Sequence, residues 1–146
     1  MRELRTEIEI AAPVSKVWSI LTDFDRWKDW NPISEASGVA ALGSQLTVTM
    51  RGKEGKGGME YRPIVINIEP PRLFRWRGKM MFEFLMTNDK VFELEEMGSG
   101  TRLIHRELFG GLLVPLFWTK LNQGALPMLK TMNDALKTIA EKRSDS

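Results

Sequence analysis

The single histidine of the chain lies in the segment TRLIHRELFGG, residues 101–111, in which apolar and polar side chains alternate. If this segment is a strand, His105 and Glu107 point to one face, together with a leucine and a phenylalanine. Arg102 and Arg106 then point to the other face, which we expect to meet solvent because arginine is seldom buried. An inward histidine beside a carboxylate can be an acid–base pair, a polar spot in a binding cavity or a structural pair.

Neighbouring strands are expected to send side chains to the same inner face. The alternation of the segment FRWR places Arg75 and Arg77 outside, in the same way as the arginines of the histidine segment. The predicted inner face is mainly aromatic and aliphatic, with three ionisable groups: Phe74, Trp76, Lys90, Phe92, Leu94, Leu103, His105, Glu107 and Phe109. Apolar walls with a few polar atoms are typical of a small-molecule pocket.

The three inward ionisable groups admit three interpretations. A buried charge must be paired, and Lys90 can neutralise Glu107, so the simplest interpretation is a structural set that needs no ligand. The second is that His105 and Glu107 orient a polar group of a bound molecule. The third is general acid–base catalysis, which requires a suitable pKa and a substrate within hydrogen-bond reach, and the sequence displays neither.

Composition excludes several classes of function. The chain has 146 residues, 42% of them hydrophobic and 27% charged, and it shows no internal repeat or linker, so we expect one domain over residues 1–146. The net charge of +2 is spread without a dense basic run, which argues against nucleic-acid binding. With no cysteine, one histidine and no phosphate-binding or dinucleotide motif, we expect no disulfide, metal or cofactor.

The terminal segment and the apolar runs bear on location. MRELRTEIEI at the start is charged and alternating, which is unlike a signal peptide. No apolar run approaches the roughly 20 residues of a membrane helix. We therefore expect a cytoplasmic protein without membrane insertion, either a monomer or a weak homodimer.

The order of predicted elements indicates an α+β fold. Residues 2–10 alternate as a strand, and a helical period follows up to Pro32. From about 38 to 109 the chain has the pattern of antiparallel strands, with a glycine-rich hairpin loop at 51–60. From Leu112 to Lys142, apolar residues recur at steps of three and four, which predicts one long amphipathic helix. Only this helix is long enough to cover the apolar face of the sheet, so we expect a curved sheet that grips it.

Two features of the predicted C-terminal helix bear on its geometry. Pro127 lacks the amide that would bond the carbonyl of Gln123, and Gly124 adds flexibility, so we expect a bend or break between Gly124 and Pro127. The helical spacing places Asn133 on a polar face, away from the apolar residues.

Four segments resemble the SRPBCC superfamily, which includes START-like, pollen-allergen-like and polyketide cyclase-like domains. They are EIAAPVSKVWSILTDFDRWKDWNP, EPPRLFRWRG, GTRLIHRELFGGLL and MNDALKTIAE, which occur in the order of that family. The resemblance implies a helix-grip fold: a curved seven-stranded antiparallel sheet wrapped around the long C-terminal helix, with two short helices after the first strand and an apolar cavity between sheet and helix.

The resemblance also implies a function. We expect non-covalent binding, for carriage or sensing, of a small and largely apolar molecule such as a lipid or a polyketide-like compound. One alternative is a cofactor-free cyclase or dehydratase-type enzyme that uses His105 and Glu107. Another is a protein-binding module of the chaperone-ATPase-activator type, for which we expect a small or filled cavity. The predicted cavity residues are Trp30, Phe74, Trp76, Lys90, Phe92, Leu94, Leu103, His105, Glu107, Phe109, Leu121, Ala125, Met128, Leu129 and Met132.

Overall fold

The structure is a computed structural model that describes residues 2–51, 58–79 and 85–142. Most of the predicted hairpin loop, residues 52–57, lies outside the described residues. The elements in chain order are β1 (Arg2–Ile10), α1 (Val14–Thr22), a 3-10 turn (Phe24–Arg26), α2 (Trp27–Trp30), β2 (Ser34–Ser37), β3 (Thr47–Met50), β4 (Glu60–Tyr61), β5 (Ile64–Glu69), β6 (Leu73–Lys79), β7 (Thr87–Met97), β8 (Gly100–Gly110) and α3 (Val114–Glu141). No helix in this described part of the chain is both long and apolar enough to span a membrane.

The strands form two antiparallel sheets. The larger sheet has the order β1-β8-β7-β6-β5, and the smaller has the order β2-β3-β4. The expectation of one seven-stranded sheet is therefore wrong. The two sheets approach each other at an isolated bridge between Gln45 and Ile64. Pro63 lies beside this bridge and has no amide hydrogen to extend a ladder, which fits the narrow connection.

The alternation predicted for β6 and β8 is confirmed. On β8, Leu103, His105 and Phe109 are buried on the face that α3 covers. The arginines lie on the opposite face, where three of the four are half-buried rather than fully exposed. The apolar stems of such long side chains can cover nearby apolar residues. Val91 is an example, since it is buried on this outer face and pairs with arginines on both neighbouring strands.

A buried carboxylate explains why two of these arginines approach each other. Asp89 on β7 accepts hydrogen bonds from Arg75 Nε at 2.9 Å and from Arg77 Nε at 2.8 Å. Burial on its own would raise the pKa of Asp89, but the two guanidinium groups outweigh that effect and hold its pKa below the ordinary value. The outer face is therefore a network of ion pairs and not simply a solvated surface.

Helix α3 is continuous over 28 residues and contains Pro127. It begins at Val114 with Pro115 in its first turn, where a missing amide costs no helical hydrogen bond. The expected break between Gly124 and Pro127 does not occur, while a bend there stays a prediction. Packing offsets the lost bond at Pro127, since Ala125 and Leu129 on either side are buried against the sheet.

Candidate functional site

An open cavity of about 470 Å³ lies between one end of the large sheet, the small sheet and α3. Strands β3 and β4 form one side, the ends of β6, β7 and β8 form the floor, and the middle of α3 forms the cover. Its lining residues are Met50, Met59, Glu60, Tyr61, Gly78, Lys79, Met86, Asn88, Glu107, Phe109, Lys120, Leu121, Gly124, Ala125 and Met128. A smaller space of about 30 Å³ shares four of these residues and reaches Lys90, Leu129 and Met132.

Two glycines shape this cavity in different ways. Gly78 on β6 lies under the ring of Tyr61, and a Cβ at Gly78 would come within 3.3 Å of that ring. Gly124 on α3 faces open space, because a Cβ there would meet no atom within 4 Å. The cavity is therefore wide where α3 crosses it and tight where the single tyrosine packs.

Methionines form much of the apolar wall. Met50, Met59, Met86 and Met128 come from three different parts of the chain and meet around the cavity. Methionine is unbranched and has a polarisable sulfur, so it adapts to ligands of different shape. The wall is thus suited to apolar molecules of more than one shape.

His105 lies beside the smaller space, in a circuit of hydrogen bonds that links the sheet to α3. Its Nε2 is 2.9 Å from Lys90 Nζ, and its Nδ1 is 2.8 Å from Asn133 Oδ1. Asn133 Nδ2 donates to Thr6 Oγ1 at 2.8 Å, and Thr6 Oγ1 donates to the backbone oxygen of His105 at 2.9 Å. The ring also stacks on Phe92, with 4.3 Å between centroids.

These contacts assign the state of the histidine ring. The Lys90 amine donates a hydrogen, so Nε2 accepts it and the ring proton lies on Nδ1, which donates to Asn133. Burial, reinforced by the positive charge of Lys90, lowers the pKa of His105 well below its ordinary value of 6.5, and the bond to Asn133 offsets part of this decrease. His105 is thus a neutral, fully engaged side chain.

Glu107 has a different partner from the one expected. Lys90 and Glu107 are directly opposite each other on β7 and β8, but Lys90 Nζ reaches His105, and Glu107 Oε1 accepts a hydrogen bond from Asn88 at 2.9 Å. The carboxylate still acts through its field: burial lowers the pKa of Lys90, and Glu107 offsets part of that decrease. The pKa of Tyr61 is raised, mainly by burial and to a smaller extent by the negative charge of Glu107.

The predicted cavity residues divide into two regions. Glu107, Phe109, Leu121, Ala125 and Met128 line the larger cavity, and Lys90, Leu129 and Met132 line the smaller space. The others line neither: Trp30, Phe74, Trp76, Phe92, Leu94, Leu103 and His105. All of these except His105 belong to, or pack against, the apolar core at the other end of the sheet.

The aromatic residues are core residues because the short helices fill the space in front of them. Phe24 and Trp27 are both buried. The ring centroid of Phe24 lies 5.4 Å from that of Phe74, and the ring centroid of Trp27 lies 5.7 Å from that of Trp76. Trp27 Nε1 also donates a hydrogen bond to the backbone oxygen of Leu21 at 2.9 Å. This anchor closes one half of the inner face and leaves the other half for the cavity.

Sequence reasoning missed several residues of the site. Asn133 is buried and faces the sheet, contrary to its predicted place on a polar face of the helix. Its spacing of four from Leu129 and three from Leu136 was a usable signal. Tyr61, Asn88 and Gly124 carry no comparable signal, because only the packing of distant segments makes them neighbours. In the described ranges, no group of three histidine, aspartate or glutamate side chains could hold a metal ion.

Comparison with protein families decides the affiliation of the chain. Residues 1–141 match the model of the family described as polyketide cyclase / dehydrase and lipid transport. The chain belongs to this family. No curated protein sequence is similar enough to count as a relative.

Several solved structures share the fold of the chain. Protein MLL2253 from Mesorhizobium loti has a TM-score of 0.79 at 17% identity, over 98% of this chain and 99% of that one. A START superfamily protein from Mycobacterium smegmatis has a TM-score of 0.74 at 20% identity, over 95% and 97%. The di-domain ARO/CYC StfQ from the steffimycin biosynthetic pathway has a TM-score of 0.76 at 12% identity, over 95% of this chain and 50% of that one. Together with the family match over residues 1–141, these likenesses confirm the resemblance to the SRPBCC superfamily.

Proposed function

We propose that the protein binds a small, largely apolar molecule, such as a lipid or a polyketide-like compound, without a covalent bond, for carriage or sensing. The observation that carries this proposal is the open cavity of about 470 Å³ between the sheets and α3. Its volume falls within the roughly 300–1,000 Å³ that small-molecule sites occupy, and its walls are mainly apolar. The family description, which names lipid transport, supports the same class of ligand.

The polar residues of the cavity suggest how such a ligand is oriented. Its apolar body would pack against the methionines, and its polar atoms would face Glu107, Asn88 and Tyr61. Glu107 accepts one hydrogen bond from Asn88, and an ionised carboxylate can accept several more. A ligand hydroxyl or amine that donates to Glu107 would fit this end of the cavity.

The two alternative functions receive less support. An acid–base pair of His105 and Glu107 is disfavoured because both ring nitrogens of His105 already have partners and the ring lies outside the larger cavity. A protein-binding module was expected to have a small or filled cavity, and a volume of about 470 Å³ speaks against that. Ligand binding is therefore the function that the site supports best.

Filling the cavity from Gly124 tests the proposal without weakening the helix. A leucine at Gly124 would project into the open space, and replacing a helical glycine with a better helix former raises stability by roughly 0.5–1 kcal/mol. We expect the Gly124→Leu protein to melt at or above the wild-type temperature. It should bind the fluorescent apolar probe N-phenyl-1-naphthylamine at least about tenfold more weakly, a change of roughly 1.4 kcal/mol in binding free energy.

Gln123→Leu is the matched control, because Gln123 is the exposed neighbour of Gly124 on α3 and does not line the cavity. It should bind the probe as the wild type does. Native mass spectrometry of gently purified wild-type protein should in addition reveal a co-purified apolar molecule that Gly124→Leu lacks. Equal probe affinity in wild type and Gly124→Leu would contradict binding in this cavity.

A further inference from the structure

Large apolar side chains are exposed where the chain enters α3. Leu112 is 74% exposed and Leu116 is 76% exposed, while Phe117 beside them is 42% exposed. A folded protein rarely exposes several large apolar residues in one place unless another surface covers them. The exposed apolar residues of this segment therefore indicate a contact with another surface.

Two of the exposed residues continue the cavity-lining face of α3. Residues four apart lie on the same side of a helix, so Phe117 precedes the cavity residue Leu121 by one turn. Leu116 precedes Lys120, which also lines the cavity, in the same way. Leu116 and Phe117 thus extend the cavity-lining side of α3 beyond the mouth of the cavity onto the protein surface.

The charged side chains of the segment that bears the exposed apolar residues are cations. Residues 108–133 contain no aspartate or glutamate, and they contain Lys120 and Lys130. Lys79 on β6 also lines the cavity, and Arg2 lies with its guanidinium 5.3 Å from the centre of the Trp118 ring.

Among the residues that the structure describes, two carboxylates line the cavity, and each has a partner. Glu60 lies 3.7 Å from Arg62, and Glu107 accepts its hydrogen bond from Asn88. The carboxylates that line the cavity thus belong to β4 and β8, whereas lysines are the charged side chains of residues 108–133, which bear the exposed apolar side chains.

We infer that this mouth surface, formed by Leu112, Leu116, Phe117, Lys79 and Lys120, docks peripherally on a lipid bilayer that carries anionic headgroups. Exposed leucine and phenylalanine enter the interfacial region of a bilayer, while neighbouring lysines attract anionic lipids. The docking places the cavity mouth against the bilayer, from which an apolar ligand could pass without crossing water. The inference goes beyond the proposed function and does not need it, because the surface exists whether or not the cavity is filled.

A second copy of this chain is a poorer occupant of the same surface. A symmetric dimer buries the same patch of both copies against each other. Such a dimer would bring the lysines at one mouth close to the lysines at the other, which costs free energy. Anionic headgroups instead complement both the charge and the apolar residues of the surface.

Sedimentation with vesicles tests the inference on the full chain. We expect binding to vesicles of equal parts phosphatidylcholine and phosphatidylglycerol, little binding to pure phosphatidylcholine, and weaker binding as salt is raised. The double variant Leu112→Ser/Leu116→Ser should lose at least roughly tenfold in affinity for the mixed vesicles, because two apolar side chains that enter the bilayer are lost.

The chain offers a closely matched control. Val39 and Leu42, in the segment between β2 and β3, are 68% and 71% exposed and do not line the cavity. The double variant Val39→Ser/Leu42→Ser should bind the mixed vesicles as the wild type does. A loss of binding in both double variants would mean that exposed apolar area in general causes binding, and would overturn the inference.

Other outcomes also separate the possibilities. Equal binding to neutral and mixed vesicles, or none to either, contradicts the inference. Self-association in the absence of vesicles that Leu112→Ser/Leu116→Ser abolishes would identify a second copy as the occupant and overturn it as well. Probe binding without vesicles should be the same in wild type and Leu112→Ser/Leu116→Ser. Docking can therefore fail while the cavity still binds its ligand, or the reverse.

Discussion

The buried histidine owes its state to partners from three distant segments. Thr6 comes from β1, Lys90 from β7 and Asn133 from α3, and all three are bonded in the same circuit. A buried polar group is costly unless it is hydrogen-bonded, so the circuit stabilises one docking position of α3 on the sheet. These hydrogen bonds thereby fix the position of α3 relative to the sheet.

The lowered pKa of His105 predicts a loss of stability at mildly acidic pH. In the unfolded chain the ring takes up a proton below its ordinary pKa of 6.5, whereas in the folded protein it stays neutral to a much lower pH. The unfolded state then binds more protons, so the free energy of unfolding falls as pH drops below 6.5. Between about pH 7 and about pH 5.5 the loss should be roughly 1 kcal/mol, measured by urea denaturation.

Since the chain has one histidine, the variant His105→Gln isolates this effect. Its free energy of unfolding should change much less over the same pH interval, whatever its absolute value. NMR titration of the wild-type ring offers an independent check, because protonation should begin only well below pH 6.5. The same pH slope in wild type and variant would show that the histidine is not its cause.

Removing the amide of Asn133 should be costly. Asn133→Leu keeps a similar volume but leaves the Nδ1–H of His105 and the hydroxyl of Thr6 without their partner on α3. Leaving a buried donor unsatisfied costs roughly 1–3 kcal/mol, so the urea midpoint should fall accordingly. The neighbouring exposed change Asp134→Ala should alter the free energy of unfolding by less than about 0.5 kcal/mol. Similar effects in both variants would remove the special role of the circuit.

At the scale of elements, the junction between β8 and α3 depends on one glycine. Gly111 has φ of 109°, a conformation that L side chains rarely adopt, and a Cβ there would lie 2.4 Å from the backbone oxygen of Leu85. The junction sets the direction in which α3 returns across the sheet. The glycine is thus required both by backbone conformation and by a close approach of another segment.

The two glycines that flank the first half of α3 should respond in opposite directions to the same substitution. Gly111→Ala should lower the free energy of unfolding by roughly 2 kcal/mol or more, because strain and a backbone clash are added. Gly124→Ala should raise it by roughly 0.5–1 kcal/mol, because a helical glycine is replaced and its surroundings are open. Urea denaturation of the two variants measures both signs. Destabilisation by Gly124→Ala would mean that this position needs glycine for a reason other than space.

At the scale of the whole molecule, the inner face of the large sheet has two halves with different tasks. One half is filled by the short helices, whose Phe24 and Trp27 pack on Phe74 and Trp76. The other half is left open under α3 and the small sheet, where the methionine-rich cavity lies. The packed core and the cavity are therefore separated along the sheet.

This separation predicts opposite effects for two substitutions to leucine. Trp27→Leu removes a large, fully buried ring and one hydrogen bond, so it should lower the free energy of unfolding by roughly 3 kcal/mol while leaving probe affinity near that of the wild type. Gly124→Leu should instead keep or raise the free energy of unfolding and lower the affinity for the probe. Denaturation curves and probe titrations of both proteins test the idea. A large loss of probe affinity in folded Trp27→Leu protein would show that the two halves are coupled.

The sequence alone predicted the features that depend on local periodicity. The two-residue alternation of β8 correctly assigned Leu103 and His105 to the inner face, and the recurrence of apolar residues at steps of three and four predicted α3. The α+β class and the family followed from the order of such elements and from their motifs. These features are local because strand and helix geometry determine which side chains share a face.

Only the tertiary structure decided which element covers each face. Periodicity placed Phe74 and Trp76 inside and led to the expectation that both line a cavity, but it could not show that the ring of Trp27 packs against Trp76. The division into two sheets, the hydrogen bond of Lys90 to His105 and the meeting of Tyr61 with Gly78 likewise join segments far apart in the chain. Such neighbours are determined by the packing of whole elements, because a face pattern specifies that a side chain is buried and not what it is buried against.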